Sequence, residues 1–216
     1  MDKNAVTIAV PKGRLFEDCM DLFRRMGVPV AEGVDTTRKL VFLSMDGSIR
    51  FLVVRDKDVP AYVEYGAADM GIVGKDVLME AGGDLLEPID LGFGFCRIVV
   101  AEPASGKKEN PTGWGQARVA TKYPNISAAY FSARGEQVEI IPLYGSIELA
   151  PSVGLAERIV DLVSTGETLK QNNLIESDEI MQITAKLVVN RASLKVRSER
   201  IEPLIEAIEN AAGVRS

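Results

Sequence analysis

Apolar residues along the chain fall into short runs that alternate with stretches at helical spacing. Residues 6–10 (VTIAV) form the first run, after which Leu15, Cys19, Leu22, Phe23 and Met26 recur at intervals of one, three and four. This change of period predicts a buried strand followed by an amphipathic helix over 15–26, joined by the basic glycine turn Pro11-Lys12-Gly13-Arg14. Runs 40–45 and 49–54 flank Asp46-Gly47-Ser48 and predict a β-hairpin. Asp58 is placed to cap a short helix over 59–65, with Pro60 in its first turn and Gly66 at its end. A strand over 70–73 follows, and Gly74-Lys75 opens another helix.

Further on, 85–91 and 96–101 read as strands crossing from a first lobe into a second, with 92–94 (GFG) as a hinge. The polar, Pro- and Gly-rich stretch 102–115 predicts an exposed loop. A strand with a basic tip at Lys122-Tyr123, a helix opened by Pro124-Asn125, a strand over 139–142 and a connection ending at Glu148 come next. A strand over 159–163 and a helix from Glu167 precede one long strand, 180–190, that returns to the first lobe; a helix over 199–212 closes the pattern. Alternation of this kind predicts an α/β protein with mainly parallel sheets. The expected division is 1–92 plus 179–216 for lobe I and 93–178 for lobe II, with a cleft between them.

Residues 66–73 (GAADMGIV) and 154–161 (GLAERIVD) share a pattern: a glycine, a small or apolar pair, an acid and a buried strand, then a glycine turn and a helix. Common α/β grammar accounts for such a likeness as readily as duplication does. The second copy leads into the segment richest in candidate chemistry, 159–172 (IVDLVSTGETLKQN). Ser164, Thr165, Gly166, Glu167 and Thr168 there make a strand-to-helix turn with three hydroxyls, a glycine that permits close approach, and backbone N–H groups at a helix start. Such a turn suits a dianionic phosphate, and Asp161 at the strand end suits sugar hydroxyls. An ordinary Ser- or Thr-capped turn has the same sequence signature.

Composition narrows the chemistry. Of the 216 residues, 46% are hydrophobic and 26% charged, and no apolar run reaches the roughly 20 residues that span a bilayer. A formal charge of −6 without a long basic run argues against general nucleic-acid binding. Histidine is absent, which removes a Ser-His-Asp triad, a histidine base and any His-containing zinc site. The N-terminal segment runs directly into a strand without an export signal, so the expectation is a cytoplasmic protein with Cys19 and Cys96 reduced, Cys96 as a packing residue. Lys12, Arg14, Arg38, Arg55 and Lys122 stand at predicted strand ends or turns, where open α/β sheets bind ligands. Singly, each is more often a solvated charge; together with the 164–168 turn they suit a ligand with several phosphates.

Six segments in order carry a family resemblance: 11–15 (PKGRL), 37–40 (TRKL), 53–78 (VVRDKDVPAYVEYGAADMGIVGKDVL), 120–125 (ATKYPN), 143–151 (LYGSIELAP) and 159–172. The chain resembles the short form of ATP phosphoribosyltransferase over nearly its whole length. That resemblance implies a two-lobed fold like the type II periplasmic binding proteins, and transfer of the phosphoribosyl group of phosphoribosyl pyrophosphate (PRPP) to N1 of ATP with Mg²⁺. It places Ser164, Thr165, Gly166, Glu167 and Thr168 at the 5-phosphate and Asp161 beside the ribose hydroxyls. Arg38, Arg55 and Lys12 become the catalytic cations, and Lys12, Gly13, Arg14, Arg38, Arg55, Lys122, Tyr123 and Glu148 the ATP contacts. It also implies a homodimer within a larger hetero-oligomer that includes a histidyl-tRNA-synthetase-like regulatory subunit, since the chain ends at Ser216 without the long form's added domain. A solute-binding or effector-sensing module of the same architecture is the alternative; it would carry an export signal or a DNA-binding helix-turn-helix.

Overall fold

In the computed structural model, residues 5–30, 39–106 and 116–213 are described. The chain divides into two compact units, Met1–Gly94 with Thr184–Ser216, and Phe95–Ile183.

In the first unit, β1 (Val6–Pro11) leads into α1 (Arg14–Arg25), then β2 (Val41–Leu43), β3 (Ile49–Val54), α2 (Val59–Glu64), β4 (Met70–Gly74), α3 (Lys75–Ala81) and β5 (Leu86–Asp90). The chain comes back as β11 (Ala185–Val189), α6 (Arg191–Val196) and α7 (Ser198–Ala212). Among the described residues the sheet order is β2-β3-β1-β4-β11-β5. β1 is buried throughout because both faces of the sheet are covered. Ile8 and Val10 pack with Phe16, Met20 and Phe23 of α1 and Ile201 of α7, whereas Ala9 packs with Val59 and Val63 of α2. Gly71 allows α2 to close onto β4: a Cβ there would lie 2.8 Å from both the Val59 and Val63 methyls.

The second unit holds β6 (Cys96–Pro103), β7 (Ala117–Thr121), α4 (Pro124–Ala133), β8 (Val138–Pro142), β9 (Arg158–Val163), α5 (Glu167–Gln171) and β10 (Leu174–Ile183), in the order β10-β6-β9-β7-β8. Its α4 face joins Ile98, Val119, Val160, Ile126 and Phe131, and Cys96 packs against this cluster. The other face joins Val99, Ala120, Ile159, Val163 and Leu169.

The two sheets have matching topology. In each, the first strand pairs in parallel with two neighbours, β1 with β3 and β4, and β7 with β8 and β9. Two antiparallel strands then follow outward, β11 and β5 beside β4, and β6 and β10 beside β9. The shared 66–73 and 154–161 pattern thus extends to five strands of each sheet, and β2, on the outer edge of β3, has no counterpart in the second unit among the described residues.

Several expectations need correction. The sheets are mixed rather than mainly parallel, because the crossing strands run against the parallel centre. The single strand 180–190 is two strands: β10 stays on β6 through Ile183, Thr184 intervenes, and β11 begins on β4 at Ala185. The break between units therefore falls at 183/184 rather than 178/179, and at 94/95 rather than 92/93. Asp58 makes no side-chain cap; Asp56–Asp58 is a 3-10 turn leading into α2. Gly92 and Gly94 in the proposed hinge have φ of 66° and 70°. Much of the 102–115 loop lies outside the described residues. Among the described residues, no helix is long and apolar enough to cross a membrane.

Candidate functional site

In the first unit, the Pro11↔Val54 register sets the ends of β1 and β3 side by side, and Lys12 N–H donates to Val54 O at 2.9 Å. Lys12 and Arg55 therefore leave neighbouring parallel strands at the same end, both exposed. Gly13 turns the chain into α1 with φ 90°, a conformation that costs glycine little, and Arg14 is the first helical residue. Arg38 lies outside the described residues. Lys75, which sequence reasoning did not nominate, opens α3 at the end of β4, with Nζ 2.7 and 2.9 Å from the Glu87 carboxylate oxygens.

In the second unit, Lys122 and Asp161 follow the Thr121↔Val160 pairing of β7 and β9, and Lys122 Nζ stands 3.5 Å from Asp161 Oδ1. The Asp161 side chain is only 14% exposed. Burial pushes its carboxyl above the usual carboxylate range; Lys122 and the Leu162 N–H work against this shift, and Glu148 adds to it. Asp161 Oδ1 also accepts from Leu162 N–H at 2.7 Å. Glu148 sits half-buried on the 3-10 turn Ile147–Leu149.

Directly after β9 the chain is exposed at Ser164, Thr165, Glu167 and Thr168. Gly166 adopts φ 81° as the residue before α5, and no side chain caps that helix. The Glu167 N–H is 3.5 Å from Thr165 Oγ1, too long for a firm bond. The Ser/Thr-cap reading of this turn thus has little support, and Ser164, Thr165 and Thr168 are exposed just past Asp161's strand.

Tyr123 is 5% exposed and packs with the α4 cluster, so it lies in the core rather than on an open surface. Its ring lies under Lys122 Nζ, 5.0 Å from the centroid. Thr121 was also missed. It is fully buried, and its Oγ1 accepts from Tyr123 N–H at 2.9 Å and lies 3.4 Å from Ser127 Oγ. This hydroxyl-stabilised turn aims Lys122; a threonine two residues before the donor was its only sequence signal.

Among the described residues, no group of three or more Cys, Asp or Glu side chains is arranged to hold a metal. Cys19 is fully buried, and burial pushes its thiol up, as expected of a packing residue.

Residues 55–210 match the family model for HisG, ATP phosphoribosyltransferase. The chain is 58% identical over 205 residues to the ATP phosphoribosyltransferase of Citrifermentans bemidjiense, covering 94% of this chain and 97% of that one. It is 50% identical over 219 residues to that of Moorella thermoacetica, covering 99% and 96%. Among solved structures, the ATP phosphoribosyl transferase (HisG:HisZ) complex from Thermotoga maritima superposes with TM-score 0.81 at 37% identity, over 96% of this chain and 98% of that one. The periplasmic aliphatic sulphonate binding protein SsuA from Escherichia coli, at 13% identity, TM-score 0.58, and 98% and 73% coverage, shares the two-lobed fold alone. By sequence and fold together, the chain belongs to the ATP phosphoribosyltransferase family.

Proposed function

We propose that the 164–168 turn receives the 5-phosphate of PRPP and that Asp161 accepts from the ribose hydroxyls, in the reaction that this family carries out. That reaction joins N1 of ATP to C1 of PRPP with release of pyrophosphate, the first step of histidine biosynthesis. The observation that carries the assignment is the uncapped turn itself: exposed hydroxyls and a left-handed Gly166 follow directly from a strand whose partly buried acid faces a lysine. Lys12, Gly13, Arg14, Arg38 and Arg55 are assigned to ATP and to the departing pyrophosphate, with Lys12, Arg38 and Arg55 as the charges that stabilise it.

The chemistry asks little of acid–base catalysis. N1 of adenine carries a lone pair already, so no residue has to create the nucleophile, and the lack of histidine is no obstacle. The barrier lies in separating C1 from pyrophosphate, where fixed cations aimed at the developing negative charge are the effective device. Attack from the face opposite the leaving group inverts C1 without a covalent intermediate.

Enzymes of this family are generally metal-dependent, and Mg²⁺ is the assigned ion. The described side chains offer no three-carboxylate cage, which fits an ion that arrives on substrate phosphates and keeps several waters. Mg²⁺ supplies charge neutralisation of the pyrophosphate. The Thermotoga structure is a complex of HisG with HisZ, which supports a HisZ-type partner, the histidyl-tRNA-synthetase-like regulatory subunit, for this chain as well. We assign in addition a homodimer of the chain itself and a cytoplasmic location. Purified chain mixed with ATP, PRPP and Mg²⁺, with and without such a partner, is expected to yield phosphoribosyl-ATP, with Asp161→Asn and Thr165→Val strongly impaired. Full activity of both variants at low PRPP would refute the residue assignments.

A further inference from the structure

The matching topology of the two sheets allows one unit to serve as a control for the other. Thr7 of β1 and Arg118 of β7 are equivalent, since each exchanges two hydrogen bonds with the acid that precedes the neighbouring strand. Thr7 N–H donates to Asp69 Oδ2 at 2.8 Å and Asp69 N–H donates to Thr7 O at 2.8 Å; Arg118 N–H donates to Glu157 Oε2 at 2.7 Å and Glu157 N–H donates to Arg118 O at 3.1 Å. The pairings Ile8↔Met70 and Val119↔Arg158 then superpose the two ladders. Carried three residues along, the same place holds Pro11 and Val73 in the first unit and Lys122 and Asp161 in the second. Pro11 and Val73 are both buried there. An apolar pair therefore satisfies this backbone position, and the ion pair in the second unit is not required by the fold.

A charge pair at a site that an apolar pair fills elsewhere in the same molecule carries a desolvation cost, so its use is sought in a ligand. The acid lies three residues before Ser164, where the phosphate-like turn begins. The lysine is set by two contacts, Asp161 Oδ1 at 3.5 Å and the buried Tyr123 ring at 5.0 Å. Thr121 fixes the turn from which it extends. Glu148 from the 3-10 turn also acts on the carboxylate, and Val99 lies opposite it on β6. Lys122 is the cation in contact with it.

We propose that Lys122 is a positioning residue for PRPP that acts through Asp161, supplying the counter-charge and orientation that let this carboxylate accept from the ribose hydroxyls, rather than an ATP contact. The proposal rests on the reading of Asp161 and residues 164–168 as the phosphoribosyl site. Burial alone would favour a neutral Asp161, and a neutral carboxyl is a poorer acceptor for two sugar hydroxyls. Lys122 offsets that burial without touching the sugar.

The test is calorimetric titration of Mg²⁺–PRPP, and separately of ATP, into the full-length wild type, Lys122→Met, Lys122→Arg and Asp161→Asn between pH 5 and 8. Wild-type PRPP affinity is expected to fall on the acid side. In Lys122→Met that fall moves upward by about one pH unit, an up to tenfold loss that recovers at higher pH, because an opposite charge within reach shifts a carboxyl by about that much after solvent screening. Lys122→Arg restores the wild-type profile, and ATP affinity changes less than twofold in either variant. Asp161→Asn, weak at every pH, separates the acid limb of the protein from ionisation of PRPP itself. Loss of ATP affinity in Lys122→Met, or a PRPP loss equal at every pH, overturns the proposal while leaving the phosphoribosyl site in place. Unchanged PRPP affinity in Asp161→Asn instead refutes the site on which the proposal rests. Carboxyl ¹³C titration of Asp161 in unliganded Lys122→Met gives an independent readout, and an unmoved midpoint contradicts the proposal.

Discussion

Asp69 and Glu157 hold the same place in the two sheets: each carboxylate takes a backbone N–H from the neighbouring parallel strand and is paired with a guanidinium. Arg197 Nη1 lies 2.6 Å from Asp69 Oδ2, and Arg118 Nη2 lies 2.6 Å from Glu157 Oε1. Both acids are shielded, with side chains 10% and 12% exposed, so each ion pair counts for more than a surface pair. Arg197 also donates to Ala5 O at 2.8 Å, which ties the α6–α7 junction to the start of β1.

Removing one partner is therefore costly. Arg197→Met should lower unfolding free energy by about 3 kcal/mol at pH 7, because it strands the shielded Asp69 charge, and Glu157→Gln should lower it by less, because the Arg118 guanidinium it leaves is more exposed. Arg191→Ala, which breaks an exposed pair with Asp84, should cost under about 1 kcal/mol. Burial works against the Glu157 charge, but the Arg118 bonds hold its carboxyl below the usual carboxylate range. Its contribution is thus present above the ordinary glutamate range and is lost as pH falls through the depressed folded value. Denaturant melts at pH 7 and below about pH 4 should show the Glu157→Gln deficit shrinking.

Asp161 has the opposite sign. Burial raises its folded value, so the folded protein holds that proton more tightly than the unfolded chain, and stability falls as pH rises between the ordinary and the raised value. Asp161→Val, which copies Val73, should stabilise the unliganded protein at pH 7 by about 1 kcal/mol while abolishing PRPP binding. The stability gain should vanish below the ordinary aspartate range. A thermal melt paired with a binding titration checks both halves.

Two glycine substitutions separate fold from site. Gly71→Ala places a methyl 2.8 Å from two α2 side chains and should cost about 3 kcal/mol by overpacking. PRPP affinity at a temperature where the variant is folded should not change. Gly166→Ala meets nothing closer than Glu176 Oε1 at 3.6 Å, but φ 81° disfavours alanine by about 1 kcal/mol. Its effect should appear chiefly as weaker PRPP binding, with ATP binding retained.

On the basic side, Arg55→Ala and Lys12→Ala should each lower kcat with Mg²⁺–PRPP by tenfold or more, since each removes a fixed charge from the departing pyrophosphate, an effect of order 10²-fold for a well-placed group. Arg50→Ala, on β3 away from the strand end, serves as the comparison and should leave kcat within threefold. Equal kcat for all three would remove the cations from the account.

What the sequence disclosed follows from what each residue spends its energy on. β1 and β4 were legible because two covered faces demand unbroken apolar runs, β9 because Asp161 alone interrupts its run over 159–163, and the Pro11–Arg14 and Ser164–Gly166 turns because glycine and small polar residues punctuate them. β10 was half-hidden: it carries Glu176, Asp178 and Glu179 on a sheet edge, where charge protects against strand addition and dilutes the apolar signal. The one-residue handover at Thr184 was invisible for a different reason. β10 and β11 are both apolar near the break, and only their partners, β6 and β4, distinguish them. Tyr123 looked like a ligand contact because it adjoins Lys122, but the packing of α4 claims its ring. The Lys122–Asp161 contact joins residues 39 apart in sequence (161 − 122 = 39), so only strand pairing could bring it out.

The central claim, that residues 164–168 receive the phosphoribosyl group, is tested most directly by steady-state formation of phosphoribosyl-ATP with the double variant Thr165→Val/Thr168→Val. Both changes keep side-chain shape and remove hydroxyls that donate to a dianion, worth about 1.5–3 kcal/mol each. The account predicts that KM for PRPP rises by at least about 100-fold while KM for ATP stays within twofold. An unchanged KM for PRPP, or a rise confined to ATP, would contradict it.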